Sequence, residues 1–315
     1  VSPHVPSLAM STVLLLTVYI LTFTVGLPAN AFTLTVLVAK SRRRQPALTA
    51  ADLFLLNLAV ADLLLLLFLP FKMAEAAAGM AWLLPAALCP VVNFWFYSSA
   101  YLSSLFLAAL SVRRYLGVAF PLRSRGRSRP GRVLAVSAVM WLLACGHCSV
   151  VFVAELGPRG EEGERGGQLG EGESPATLRC YDDFSPSQLR FVLPLRLEFF
   201  FVLFLAPFSV TVFCYVGLIR ALIARPALPA AKRRRAVGLA VATVVIFGLC
   251  FAPYNVSHVV GFWQGRSPGW RVYATLLSSL NAALDPLVVY CSSGSVRQAL
   301  GEARVALRAW WGRWR

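Results

Sequence analysis

Seven apolar runs, at about 9–39, 47–73, 86–119, 133–155, 187–222, 235–263 and 270–291, are each long enough to cross a bilayer as a helix. The third, AALCPVVNFWFYSSAYLSSLFLAALSVRRYLGVA, carries polar marks at set places. Cys89 stands at one end. Tyr97 and Tyr101 are four apart and share a helix face. Ser103 lies deeper, and Arg113, Arg114 and Tyr115 close the other end. As a helix, Cys89 to Arg114 spans roughly 37 Å, more than a hydrocarbon core. One element then links an outer surface, a mid-membrane polar site and a cytoplasmic surface. The pattern predicts an all-α fold: a bundle of seven transmembrane helices over residues 1–292, followed by an amphipathic helix and tail over 293–315. That last segment steps by threes and fours through Val296, Leu300, Ala303, Leu307, Trp310, Trp311 and Trp314, with Arg297, Arg304, Arg308 and Arg315 on its other faces. A helix lying on an anionic inner leaflet fits this spacing; the plainer alternative is a solvated basic tail. No internal repeat is visible, which counts against an inverted-repeat transporter.

Composition supports the membrane assignment. The chain is 58% hydrophobic and 14% charged, against about 25% charged in soluble domains. A net charge of +16 would suggest a nucleic-acid partner, but the placement of the charges argues otherwise. Lys40, Arg42, Arg43 and Arg44 follow the first run. Arg113, Arg114, Arg123, Arg125, Arg127, Arg129 and Arg132 close and follow the third. Arg220, Arg225 and Lys232 to Arg235 surround the end of the fifth, and the basic tail follows the seventh. These segments hold 22 of the 30 Lys and Arg residues. The positive-inside rule puts the amino terminus outside and the carboxyl terminus in the cytoplasm. The first run is too long for a cleaved signal peptide and lacks a small-residue cut site after it. The seven cysteines are scattered without a metal-binding pattern, Cys145 and Cys148 lying within an apolar run. Residues 156–180 are Gly- and Glu-rich; Glu161, Glu162, Glu164, Glu171 and Glu173 read as a solvated loop.

Polar groups inside a bilayer are costly and need a reason. Asn30, Asp62, Ser103, Asn281 and Asp285 form one set, drawn from four runs. An unpaired Asp62 carboxylate within LNLAVADLLLLLFLP is expensive, so the set is expected to hold a small cation such as sodium. A hydrogen-bond network that only packs helices is the alternative. A second set lies toward the outer ends: Lys72, Tyr97, Tyr101, His147, Arg196, His258 and Arg271. Converging cations and imidazoles suit a small anion, Arg offering a planar fork for a carboxylate. Alternatively Arg196 pairs with Glu198 or Asp182, and Arg271 faces solvent. No GxSxG, HExxH or P-loop occurs, so no enzyme is expected. The seventh run has no lysine for a retinal Schiff base.

Taken in order, several stretches resemble class A (rhodopsin-like) G-protein-coupled receptors over the full length. They are GLPAN with Asn30, LNLAVADL with Asp62, Cys89 with Cys180, SVRRYLGVAFPL with Arg114, Trp141, Pro207 with Tyr215, CFAPY with Pro253, and NAALDPLVVY with Pro286 and Tyr290. Within that class, LLLLLFLPFKMAEAA, WFYSSAY, GHCSVV, LPLRLE, RRRAVGLAV, PYNVSHVVGF and SPGWR resemble the free fatty acid receptors, in particular their short-chain types 2 and 3. RYLGVAFP, FYSS and RRRAVGLAV favour type 2 narrowly; FLAALS, HCSVV and HVVG lean to type 3.

The resemblance implies a plasma-membrane receptor for short-chain carboxylates such as acetate, propionate and butyrate. Arg196 and Arg271 would clamp the carboxylate, assisted by His147, His258, Tyr97, Tyr101 and Tyr254, with Lys72 adding charge. Tyr181 and Asp182 resemble an aromatic–acid pair that lids the pocket, with Asp where type 2 has Glu. Cys89 and Cys180 would form the disulfide that ties the loop to the third helix. Arg114, Tyr215, Phe251, Pro253, Pro286 and Tyr290 match the residues of the activation step, an outward swing of the sixth helix that admits a heterotrimeric G protein of the Gi or Gq class. Arrestin and membrane lipid are further implied partners. Longer fatty acids or another small carboxylate such as lactate remain alternatives, and an anion transporter is a third. Two departures stand out. Arg113 replaces the acid that restrains Arg114, giving RRY, so raised basal signalling or reduced stability is expected. Asp285 replaces Asn before Pro286. The Asn255-Val256-Ser257 sequon falls in the sixth run and is expected to carry no glycan.

Overall fold

Every apolar run becomes a helix. The computed structural model describes residues 5–42, 48–121, 130–156, 180, 184–225 and 229–312. Seven of its helices are long and apolar enough to span a membrane. They are α1 (Val5–Arg42), α2 (Ala50–Ala77), α3 (Leu88–Ala119), α4 (Pro130–Ala154), α5 (Gln188–Ile223), α6 (Ala230–Gln264) and α7 (Arg271–Ser292). An eighth, α8 (Gly294–Gly312), follows a bend at Ser293. No strand occurs among the described residues.

The third helix is the axis. In its most apolar stretch 83% of residues are buried inside the protein, against 22 to 50% for the other spans. It packs against α2, α4, α5 and α6. Most of its neighbours show one face to lipid, which explains exposed side chains such as Leu142, Phe213 and Leu249. The disulfide between Cys89 and Cys180 fastens the loop after α4 to the outer end of α3, and Asn93 Nδ2 lies 2.8 Å from Cys180 Sγ.

Local chemistry sets the helix starts. Thr49 caps α2 through a reciprocal box with Asp52, and Lys40 joins that acid at 2.8 Å, tying α1 to α2. Ser185 and Gln188 form a second box where the helix that runs into α5 begins, at Pro186, with that proline in its first turn.

Prolines inside the spans shape the bundle. A proline has no N–H for the carbonyl four residues back. Pro207 thus leaves the Leu203 carbonyl without its helical donor, and Ser104 of α3 donates to it at 2.9 Å. Just ahead of Pro207 the helix widens into a π-turn over Phe200–Leu205. Pro286 does the same to the Ala282 carbonyl, and Asn30 of α1 donates to that oxygen at 2.7 Å. Two helix contacts are therefore written into proline positions.

In α8 the residues expected on the apolar face behave in two ways. Val296 is buried against the bundle, while Leu307, Trp310 and Trp311 stand open. Trp314 lies outside the described residues, as do Arg123, Arg125, Arg127, Arg129 and the glutamates of the loop after α4.

Candidate functional site

Four spans, α3, α5, α6 and α7, supply the outer cluster at its core. Arg196 sits about two turns into α5, and Arg271 opens α7. Both are buried, at 3% and 5% exposure, so neither faces solvent. Arg196 donates to Ser267 Oγ at 2.8 Å and stacks over Phe184 at 5.0 Å. Arg271 donates to the Tyr254 hydroxyl at 3.1 Å and lies over that ring at 5.4 Å. Tyr254 stacks on Tyr97, ring centres 5.5 Å apart, and meets His258 edge-on at 4.6 Å. The Tyr101 hydroxyl lies 3.2 Å from His258 Nε2. These side chains enclose a small cavity of about 10 Å³, lined by Tyr97, Tyr101, Cys148, Val151, Arg196, Phe199, Tyr254, His258 and Arg271. Its polar members are mostly donors, and both guanidinium charges reach the His258 ring electrostatically.

Two expected members stand elsewhere. Lys72 forms a buried ion pair with Glu75 at 2.8 Å, one turn along α2, and lies over Phe96 at 6.0 Å. Glu75 lies three residues from Lys72, on the same face of the helix. His147 points away from the cavity. It meets Glu198 of α5 at 3.0 Å and the Leu143 carbonyl at 2.8 Å, and it borders a groove on the lipid side of α4 and α5. Glu198 therefore belongs to His147, and the expected alternative of an Arg196–Glu198 pair is not what forms. Tyr181 and Asp182 lie outside the described residues.

The acidic set converges one layer deeper. Ser103 Oγ donates to Asp62 Oδ1 at 3.1 Å, and Asn281 Nδ2 approaches the same oxygen at 3.4 Å. Asp285 lies within electrostatic reach of Asp62, and both are fully buried. Asp62 Oδ2, Asn281 Oδ1 and both Asp285 oxygens have no hydrogen-bond partner among the described residues. Lone acceptors in a buried pocket fit a hard cation such as sodium. Asn30 spends its amide N–H groups on the Gly26 and Ala282 carbonyls, while its Oδ1 is a further buried acceptor with no hydrogen-bond partner among the described residues.

At the inner end Arg114 reaches three helices at once. It donates to the Tyr215 hydroxyl of α5 and Ser292 Oγ of α7, and lies 3.4 Å from Thr243 Oγ1 of α6. No carboxylate restrains it among the described residues. Tyr290 stands partly open, its carbonyl accepting from Arg297 at 3.1 Å. Phe251 packs edge-on against Phe247 at 5.3 Å, two residues before Pro253. Asn255 of the sequon is buried, consistent with no glycan.

A seven-helix bundle with a basic cavity outside and an arginine-centred network inside is the architecture of a membrane receptor. Residues 29–290 match the model of the seven-transmembrane receptors of the rhodopsin family, and the chain belongs to that family. The chain is 47% identical to free fatty acid receptor 3 of Homo sapiens, over 94% of its own length and 82% of that receptor's. It is 45% identical to free fatty acid receptor 2 of Rattus norvegicus, over 94% and 86%, and 38% identical to free fatty acid receptor 1 of Macaca fascicularis, over 86% and 88%. The protein is a member of the free fatty acid receptors. Types 2 and 3 stand two percentage points apart in these identities, so overall similarity adds little to the narrow lean toward type 2. A receptor of this family is not an enzyme. It is a multi-pass plasma-membrane protein with its amino terminus outside, as the basic inner loops required, and its partners are a small ligand and a G protein.

Proposed function

We propose that this receptor is switched by short-chain carboxylates, acetate, propionate and butyrate among them, and that Arg196 and Arg271 grip the carboxylate. The observation that carries this is two buried guanidinium groups on separate helices beside one small cavity that also holds a histidine and three tyrosines. An acid of two to five carbons offers few methylenes, each contributing about 0.8 kcal/mol on burial. Most of its affinity must then come from charge-assisted hydrogen bonds. Binding in the millimolar to sub-millimolar range needs only about 4–6 kcal/mol in total, which two such contacts supply.

A ligand moves a two-state bundle only through contacts that differ between the states. One carboxylate held by α5 and α7 draws their outer ends together. The Arg114 contacts to α5, α6 and α7 are the ones that an inward-to-outward swing of α6 would rearrange, opening the inner face to a G protein of the Gi or Gq class. Arrestin would use the same basic inner surface. Asp62, Ser103, Asn281 and Asp285 would hold a sodium ion, whose positive charge would offset the two buried carboxylates. The exposed tryptophans and arginines of α8 would rest on the inner leaflet. The runner-up ligand is a longer fatty acid or another small carboxylate, and the aromatic walls of Tyr97, Tyr101 and Phe199 around the arginines favour the short chain.

An agonist series graded by chain length, read as nucleotide exchange on added G protein, tests the proposal in the parent, Arg196→Ala and Arg271→Ala. Unchanged potency in both variants removes the site assignment. Saturable uptake of labelled propionate into vesicles would instead favour a carrier.

A further inference from the structure

Resting on the carboxylate assignment above, we propose that Phe199 is a partition that sets ligand chain length, separating the arginine cavity from a lipid-facing groove between α4 and α5. Phe199 lies three residues after Arg196 and is 5% exposed. It lines the small enclosed cavity. It also borders the groove, whose volume is about 650 Å³ and whose walls include Gly146, His147, Val150 and Leu195. Its ring stands edge-on to Tyr101 at 5.8 Å on the cavity side and edge-on to His147 at 5.8 Å on the groove side. A single aromatic ring therefore divides the two spaces.

The direction of a ligand's tail follows from the lining. With the carboxylate on Arg196 and Arg271, the residues left without a strong donor are Cys148, Val151 and Phe199. Alkyl carbons turn toward that corner, because elsewhere they would bury hydroxyl and imidazole groups against hydrocarbon. The tail then runs into the Phe199 ring. The His147–Glu198 bridge holds α4 to α5 beside it, so the ring is not free to swing out with its helix. Removing the ring joins cavity and groove, and a longer chain then gains about fourfold in potency for each further methylene it buries.

The test uses the full-length receptor and straight-chain acids from acetate to decanoate, read by G-protein nucleotide exchange with surface delivery measured in parallel. In Phe199→Ala the octanoate-to-acetate potency ratio should rise at least tenfold and the best chain should lengthen by about three carbons, given that fourfold step. Phe199→Trp should shift the optimum toward acetate. Gly146 faces open space, with nothing within 4 Å of an added Cβ, so Gly146→Trp in the Phe199→Ala background should fill the groove and reverse the gain. Should Phe199→Ala fail to reach the surface, Phe199→Leu and Phe199→Trp carry the same comparison in opposite directions. A parental chain-length profile in the delivered variants overturns the partition. If Arg196→Ala still abolishes the acetate response, only the partition has failed; if the parent ignores every acid, the carboxylate assignment has failed with it.

Discussion

The cavity beneath the outer ends of α5, α6 and α7 and the cradle at the middle of α2 and α7 are both polar and both buried, yet they are opposite in kind. The outer one is built mainly from donors: two guanidinium groups and three phenols beside an imidazole. The inner one is built mainly from acceptors: two carboxylates, an amide and a hydroxyl, with several oxygens lacking a partner among the described residues. Each polar cluster inside a bundle must be matched by something of opposite character. The contrast shows that one apolar scaffold can carry a donor-rich and an acceptor-rich cluster in separate layers, and that the chemistry of each, rather than the fold, decides which charge would suit it.

Truncating either arginine should damage the donor-rich site most. We expect Arg196→Ala and Arg271→Ala to weaken propionate at least about 30-fold, the loss of about 2 kcal/mol or more typical of a buried charged partner. Arg→Lys at either position should recover only part of this, since an ammonium lacks the planar fork. The acceptor-rich site should respond to ions instead. Replacing sodium in the medium by a bulky organic cation should shift agonist potency by about tenfold. Asp62→Asn should abolish that shift, and equal sodium sensitivity in parent and variant would remove the ion from the cradle.

Smaller effects fall outside both clusters. Asn30→Ala leaves the Ala282 carbonyl beside Pro286 without its donor. It should lower stability by about 1–3 kcal/mol, read as a fall in melting temperature in detergent with little change in ligand selectivity. Arg113→Glu returns an acid beside Arg114 and should cut basal nucleotide exchange about two- to fivefold, the scale of a partly exposed ion pair. Equal basal exchange and equal melting in the two proteins would sink that expectation. His147→Ala should matter least, under about fivefold in potency, because the ring points to the groove and its partner Glu198 is 46% exposed. A loss as large as that of Arg196→Ala would put His147 back in the ligand site.

Much of the scaffold was legible because bilayer physics is strict. Seven apolar runs and one-sided basic loops were enough for the spans and the orientation, and the polar intruders pointed to both clusters. The arginines, His258, Tyr97 and Tyr101 stand out as polar residues in apolar runs, Tyr254 enters through the family resemblance, and they do meet. Lys72 and His147 were equally conspicuous by composition but belong to local pairs. The missing signal was the partner: Glu75 one turn from Lys72, and Glu198, which no spacing rule on a single helix connects to His147 across 51 positions. The π-turn after Phe199 leaves little trace in the sequence either. Its one written clue is Pro207, which strips a donor from Leu203, and the compensating Ser104 lies on another helix. Phe199 itself reads as one more phenylalanine in a lipid-facing run, since its two-sided position depends on where α4 packs.

The most direct measurement is ligand-observed magnetic resonance on purified receptor in lipid nanodiscs, using propionate and saturation transferred from the protein. The methyl and methylene signals should gain saturation with the parent, and should lose it with Arg196→Ala/Arg271→Ala at equal folded concentration. Transfer of the same strength from both proteins would mean that the two arginines are not what holds the acid.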